Sequence, residues 1–454
     1  MKIVIIGAGE VGYHIAGRLS AENKDVVVID KDPQALLRVS ENIDVQTILG
    51  SGSSPNTLRE AGISDAEILL AVTDSDEINL VACLVSGILS ASTKKLARIR
   101  GADFDAYHET FRENAPHIDM VINPEIEVVK TIDRLMAVPG AADVSEFAEG
   151  RIKFVGIYVE NDSPLENTQL MGLSEKTDGK RILIAAIVRD EKLIIPRGKD
   201  RLMPGDLVYV ISEAEDLQNT LTIFGKRTHP VKRALIVGGG RIGFRLAERL
   251  EQKGIHCKII EKNAQRCEYL SEKLAKAIVL HGDGSDQSLL SEENAGDIDV
   301  AVTLTNDDET NILVSLLTQR LGVHKNITKI SKFSYHSLMK TIGIEQVVST
   351  RLSAINSILQ HIRRGKVLNA ISIKGELAEV VEAVALETSD IVSKPISKIS
   401  FPKGSLVIGI IRNSEIIIPS GESTIEPDDR VIIFAVRTAI AGVEKLLSVK
   451  LEFI

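Results

Sequence analysis

Apolar runs of about five residues alternate with longer stretches whose apolar side chains recur every three or four positions, and this alternation fills the first 138 residues. The runs at 2–6, 25–29, 45–49, 68–72 and 95–99 predict strands, with helices starting at Glu10, Pro33, Pro55 and Ser75 between them. A strand at 118–122 and a crossover helix from Pro124 to about Val138, stopped by Pro139-Gly140, close the unit. Short buried strands separated by helices require right-handed crossovers and a parallel sheet covered on both faces.

The pattern restarts at 233–237 and tracks the first copy at an offset of 231 residues, 232 after a one-residue slip. Thr73-Asp74-Ser75-Asp76-Glu77-Ile78-Asn79 is answered by Thr305-Asn306-Asp307-Asp308-Glu309-Thr310-Asn311. Smaller β-rich segments follow each copy and also match: Leu193-Ile194-Ile195-Pro196-Arg197-Gly198 through Pro204-Gly205-Asp206, and Ile416-Ile417-Ile418-Pro419-Ser420-Gly421 through Pro427-Asp428-Asp429. Turn signals at 189–192 and 412–415 predict hairpins there. The expected fold class is α/β: two doubly wound, Rossmann-like parallel-sheet domains, each followed by a small α+β domain. The expected limits are 1–139, 140–222, 231–366 and 367–454. The polar stretch 213–230 and Pro139-Gly140 are candidate hinges.

Each copy opens with the same chemistry. Gly7-Ala8-Gly9-Glu10-Val11-Gly12 precedes Asp30, and Gly238-Gly239-Gly240-Arg241-Ile242-Gly243 precedes Glu261, with 23 residues from first glycine to acid in both. In such a GxGxxG loop the first glycine makes the strand-to-helix turn, the second admits a pyrophosphate to the backbone, and the third lets helix and strand pack closely. The helix N-terminus offers free N–H groups to phosphates. An acid at the end of the second strand is placed for ribose hydroxyls and repels a 2′-phosphate, so NAD(H) is expected over NADP(H).

Thr73 and Asp74, with Thr305 and Asn306, end the fourth strands, where doubly wound sheets hold their ligands. Asp76 and Glu77 read as solvated charges of the next helix, and Asn79 and Asn311 as ligand contacts or as buried amides bonded to backbone. Arg98 and Lys329 share a slot from which a cation reaches phosphate, crosses an interface or stays in solvent. Glu10 becomes Arg241 in the second loop and Glu125 aligns loosely with Arg351, so the second pocket is expected to be the more basic. A dinucleotide is expected in the first pocket. ADP or ATP is expected in the second, or in a partner pocket that Arg241 reaches.

Composition narrows the classes. Of 454 residues, 44% are hydrophobic and 26% charged, with aromatics at 4% and no tryptophan, so cores are aliphatic and base-stacking platforms are not expected. A net charge of −9 argues against a nucleic-acid or anionic-lipid surface. Cys83, Cys257 and Cys267 form no metal-ligand spacing and read as buried small hydrophobes in a reducing compartment. The chain enters a strand at once, leaving no room for a signal peptide, and the uncharged stretch 78–93 is too short and too polar to span a bilayer. A cytoplasmic location is therefore expected.

The tandem GxGxxG units with trailing acids, the TDSDE and TNDDE segments and the IIPxG motifs together resemble the RCK (KTN) regulators of potassium transport over essentially the whole chain. The resemblance implies a ring of eight RCK units, hence a homotetramer, docked beneath a TrkH- or TrkG-type membrane subunit on the inner face of the cell membrane. It also implies regulation by NAD(H) and by ATP or ADP. Where the family often has Gly-Asp after the third strand, the second half keeps Gly282-Asp283-Gly284-Ser285 and the first has Gly50-Ser51-Gly52-Ser53. If that aspartate reads adenine, Ser51 weakens the contact.

Two other readings stay open. A dehydrogenase needs an acid-base group facing the nicotinamide, but 151–212 holds no histidine or cysteine, and surface charge explains Lys153, Lys176, Lys180, Lys192 and Lys199. A ligand-free scaffold would leave Asp30 and Glu261 without an evident purpose.

Overall fold

Apolar residues on both faces put β1 (Lys2–Ile6) at the middle of a sheet: Ile3, Val4 and Ile5 are fully buried. Around it lie β2 (Asp25–Asp30), β3 (Gln46–Leu49), β4 (Ile68–Ala71), β5 (Lys94–Arg98) and β6 (Met120–Ile122), all parallel, in the order β3-β2-β1-β4-β5-β6. The order reverses beside β1, which opens a crevice at the carboxyl ends of β1 and β4. This computed structural model describes residues 1–176, 182–226, 230–362, 366–373 and 377–447; Lys180 and residues 227–229 of the candidate hinge lie outside them.

Next come β7 (Asp143–Phe147), β8 (Ile152–Tyr158), β9 (Leu183–Arg189), β10 (Lys192–Ile194) and β11 (Leu207–Glu213), an antiparallel sheet ordered β10-β9-β11-β8-β7. The second half repeats both sheets. β12 (Arg233–Val237), β13 (His256–Glu261), β14 (Ile278–His281), β15 (Val300–Thr303), β16 (Lys325–Lys329) and β17 (Gln346–Val348) reproduce the first parallel order. β18 (Val367–Ile373), β19 (Ala378–Val384), β20 (Ser405–Arg412), β21 (Glu415–Ile417) and β22 (Arg430–Val436) reproduce the antiparallel one. The predicted hairpins are β9-β10 and β20-β21.

The acid of each Pro-x-Asp motif is structural. Buried Asp206 takes the Arg189 guanidinium with both oxygens, at 2.7 and 2.8 Å, and buried Asp429 takes Arg412 at 3.0 and 2.8 Å. Such forked pairs fix geometry as well as charge. The two small sheets share a core in which Phe147, Phe154 and Tyr209 meet Val380, Ile432 and Phe434.

Contacts divide the chain along a line that the repeat does not follow. One compact unit is Met1–Glu127 with Thr350–Arg363, the other Val128–Ser349 with Arg364–Ile454. Periodicity assigns the whole helix Pro124–Ala137 to the first Rossmann domain. Its later turns instead join the second unit, where Val128, Ile132 and Leu135 share a core with Leu246 and Leu250, and Asp133 accepts from Arg249 and Lys253. In exchange, the helix Thr350–Ile362 packs on the helix Glu10–Ala21 in the first unit. An apolar stripe shows that a helix face is buried, not against which sheet.

Among the described residues no helix is long and apolar enough to cross a membrane. Residues 76–89 form one helix of the first unit, with Asn79, Ala82, Cys83 and Ser86 buried.

Candidate functional site

The two glycine loops superpose in kind. Gly7 and Gly238 take φ of +108° and +107°, a region L side chains rarely adopt, at the turn from β1 or β12 into the next helix. A Cβ on Gly12 would lie 1.8 Å from the Gly7 carbonyl oxygen, and one on Gly243 2.0 Å from that of Gly238. The fold itself therefore requires glycine at both ends of each loop.

The middle glycines differ. Gly9 and Gly240 have ordinary negative φ, and an added Cβ would meet nothing within 4 Å. Each is also the N-cap of its helix without a capping side chain, although Asp32, Ser54 and Ser75 cap neighbouring helices in the first unit and Asn263, Asp286 and Asp307 do so in the second. Asp, Asn or Ser would be the better cap. At these two positions the chain leaves open space in front of an uncapped helix terminus.

The two acids hold the loops. Asp30 accepts from the Ala8 N–H at 2.5 Å and the Asp32 N–H at 2.9 Å; Glu261 accepts from Gly239 and Asn263, both at 2.8 Å. Each carboxylate thus spans the glycine turn and the start of the following helix.

At the far side of each crevice a fully buried asparagine ties the strand ends together. Asn79 Oδ1 accepts from the Thr73 N–H and Oγ1–H, while its Nδ2 donates to the Thr73 and Arg98 carbonyls; Asn311 repeats this with Thr305 and Lys329. Arg98 pairs with exposed Asp74 at 3.2 Å, and its Nε is buried without a hydrogen-bond partner. Burial, then neighbouring Arg100, pull the Arg98 guanidinium below its ordinary pKa despite Asp74. Lys329 Nζ donates to the Thr305 carbonyl at 2.9 Å, and Asn306 is exposed. Asp76 is not a solvated charge: it accepts from the Arg100 and Gly101 N–H groups, as Asp308 does from Ser331 and Lys332. Its recurrence as Asp308 was the available signal.

Charge is distributed otherwise than the alignment implies. Arg351 sits in the first unit, with Nη1 3.2 Å from Glu10 Oε2, because its helix is the exchanged one; the added cation belongs to the first glycine loop, not the second. Arg38 donates to Glu10 Oε1 at 2.6 Å and lies over the Tyr13 ring, and His14 Nε2 is 3.7 Å from Glu10 Oε2. Burial alone would raise the Glu10 pKa, but the Arg38 hydrogen bond and the charges of Arg351, Arg38 and His14 hold it below the usual range. At the second loop Arg241 is exposed, and Arg266, unforeseen from sequence, donates to the Gly239 carbonyl at 2.7 Å and stacks on Tyr269. Asp283 accepts from Lys262 at 2.9 Å and from Ser285, which pull it well below the ordinary carboxylate range; the side chain of its counterpart Ser51 shares a hydrogen bond with Ser53 at 2.9 Å.

Residues 3–124 and 234–350 match the family model of the TrkA-N domain, and 154–225 and 380–448 that of the TrkA-C domain. The chain belongs to the TrkA family. It is 36% identical to the Trk system potassium uptake protein TrkA of Azorhizobium caulinodans and 37% identical to that of Halomonas elongata, in each case over all of both chains. The fold of this TrkA-family chain is also that of the GsuK RCK domain, at a TM-score of 0.59 and 17% identity over 98% of this chain and 94% of that one. The GsuK channel bound to NAD gives the same TM-score at 18% identity, over 98% and 78%.

Proposed function

We propose that this TrkA-family chain is a nucleotide-sensing regulatory subunit of a potassium uptake system and not an enzyme. In this reading it assembles as a homotetramer of eight RCK units, domains 1–139, 140–222, 231–366 and 367–454, on the inner face of the cell membrane under a TrkH- or TrkG-type partner. Nucleotide binding biases the conformation of the ring, by no more than the ligand's difference in affinity between its states.

One observation carries the reading: glycine stands at Gly9 and Gly240, where the fold does not need it and a helix terminus lacks a cap. That is the cradle a phosphate group takes. The buried, unpartnered Nε of Arg98 at the same crevice fits a polar ligand too. NAD(H) would be held in the first pocket by Gly7, Ala8, Gly9, Glu10, Val11, Gly12, Asp30, Thr73, Asp74 and Arg98. The corresponding second set is Gly238, Gly239, Gly240, Arg241, Ile242, Gly243, Glu261, Asp283, Thr305, Asn306 and Lys329. Arg241 and Arg266, with no carboxylate in the Glu10 slot, favour ADP or ATP there.

Thermal-shift titration of the purified chain with NADH, ADP and ATP tests binding, and co-purification with a potassium-transporting membrane protein tests the partner. Stabilisation by NADH together with co-purification is expected. No shift with any nucleotide would leave an assembly scaffold, and sustained NADH oxidation with a small carbonyl substrate would make it an oxidoreductase. ATP binding unaffected by Arg241→Ala would remove the role given to that residue.

A further inference from the structure

We propose that Glu10 is a built-in stand-in for phosphate, which occupies Arg38 and Arg351 and thereby makes the first pocket select a dinucleotide over ADP or ATP. This rests on the nucleotide-binding reading and adds to it the residues that set ligand choice.

Glu10 is the first residue of the glycine-loop helix, beside the open space at Gly9. Three cationic or potentially cationic side chains converge on its carboxylate: Arg38 at 2.6 Å, Arg351 at 3.2 Å and His14 at 3.7 Å. They come from three separate segments, one of them the exchanged helix Thr350–Ile362. Guanidinium groups gathered at a helix N-terminus make an anion site, and here the anion is the chain's own. Arg38, Arg351 and Glu10 are 47%, 32% and 34% exposed, open enough to exchange partners with an entering ligand.

The pyrophosphate of a dinucleotide carries about two charges and ends in sugar on both sides, so it can lie on the loop amides with the Glu10 cluster intact. ADP and ATP carry one or two further charges on a free terminal phosphate. Such a group meets the Glu10 carboxylate unless it takes Arg38 and Arg351 from it, and breaking those charge-assisted bonds works against binding. The second loop has Arg241, a cation, in the slot that Glu10 fills in the first. Arg351 follows closely on β17, so the side chain that would change partner belongs to a segment joined covalently to the other unit.

The test is displacement of fluorescent NADH from the full-length protein by ADP and by ATP. Glu10→Gln keeps the shape and removes the charge; it should lower the ADP and ATP needed for displacement about tenfold relative to the NADH Kd measured in the same variant. Adding Arg38→Gln and Arg351→Gln to Glu10→Gln should cancel that gain. An unchanged ADP displacement in Glu10→Gln, or a gain that survives loss of both arginines, overturns the proposal while leaving nucleotide binding intact. Failure of the wild-type protein to bind NADH overturns the binding reading and this proposal with it. If Glu10→Gln does not fold, Arg351→Gln alone decides: it should raise the ADP requirement about threefold with NADH binding unchanged, and no change refutes the assignment.

Discussion

Replacing one glycine at a time separates what the fold needs from what a ligand needs. In Gly12→Ala the new methyl would stand 1.8 Å from the Gly7 carbonyl oxygen, so the helix must retreat by more than 1 Å from a strand whose residues Ile3–Ile5 are fully buried. Overpacking of that kind costs about 3 kcal/mol or more. In Gly9→Ala the methyl meets nothing within 4 Å and φ is −64°, so no strain arises. Alanine is a poorer N-cap than glycine by about 0.5–1 kcal/mol, and the restricted unfolded chain returns about 0.4–1 kcal/mol, leaving a net change near zero. Urea unfolding followed by circular dichroism should therefore show Gly9→Ala within about 1 kcal/mol of wild type and Gly12→Ala far below it. NADH titration should show the opposite emphasis: Gly9→Ala, although stable, should lose about tenfold or more in affinity because the methyl fills the phosphate's place. Wild-type NADH affinity in Gly9→Ala would refute the reasoning, and so would equal destabilisation by the two substitutions.

Asn79→Ala should cost about 2–3 kcal/mol in urea unfolding, since four hydrogen bonds of a fully buried amide are lost and backbone groups are left unpaired; Asn311→Ala should match it. Lys325, pushed down to about 7 by burial, titrates near 10.4 once unfolded, so between those values the unfolded chain holds the extra proton and stability rises with pH. The stability of wild type relative to Lys325→Met should climb from pH 7 to pH 10, and parallel pH profiles would contradict this. Cys83 and Cys257 are buried, with thiols pushed up to about 12, so a thiol reagent at pH 8 should modify neither in the native protein while labelling both in urea.

The alternation of strands and helices, the two parallel sheets and the two hairpins were legible because burial on two faces, period and turn residues all point to one solution. The exchange of helices was not. Pro124–Ala137 shows the same amphipathic stripe whichever sheet it covers, and the fold alone reveals the partner, through the core shared with Leu246 and Leu250 and the Asp133 pairing with Arg249 and Lys253. That exchange also explains the misplaced charge: aligning Arg351 with Glu125 assumes that each helix stays with its own repeat, whereas Arg351 is delivered to the first glycine loop. Arg266 was missed for a related reason. A lone arginine in a polar helix carries no signal until the fold sets it against the Gly239 carbonyl.

The acids change the weight of the evidence for ligand binding. From sequence alone a carboxylate 23 residues after each glycine turn counts against an empty scaffold, because nothing else accounts for it. In the structure Asp30 and Glu261 each accept two backbone N–H groups and hold the turn, a task that a pocket without ligand would need equally. Their presence therefore does not separate a sensor from a scaffold. The middle glycines do, since alanine would fit at Gly9 and Gly240 and aspartate, asparagine or serine would cap the helix better. On the reading proposed above, both repeats leave glycine there so that an anion can reach the N–H donors of the helix terminus.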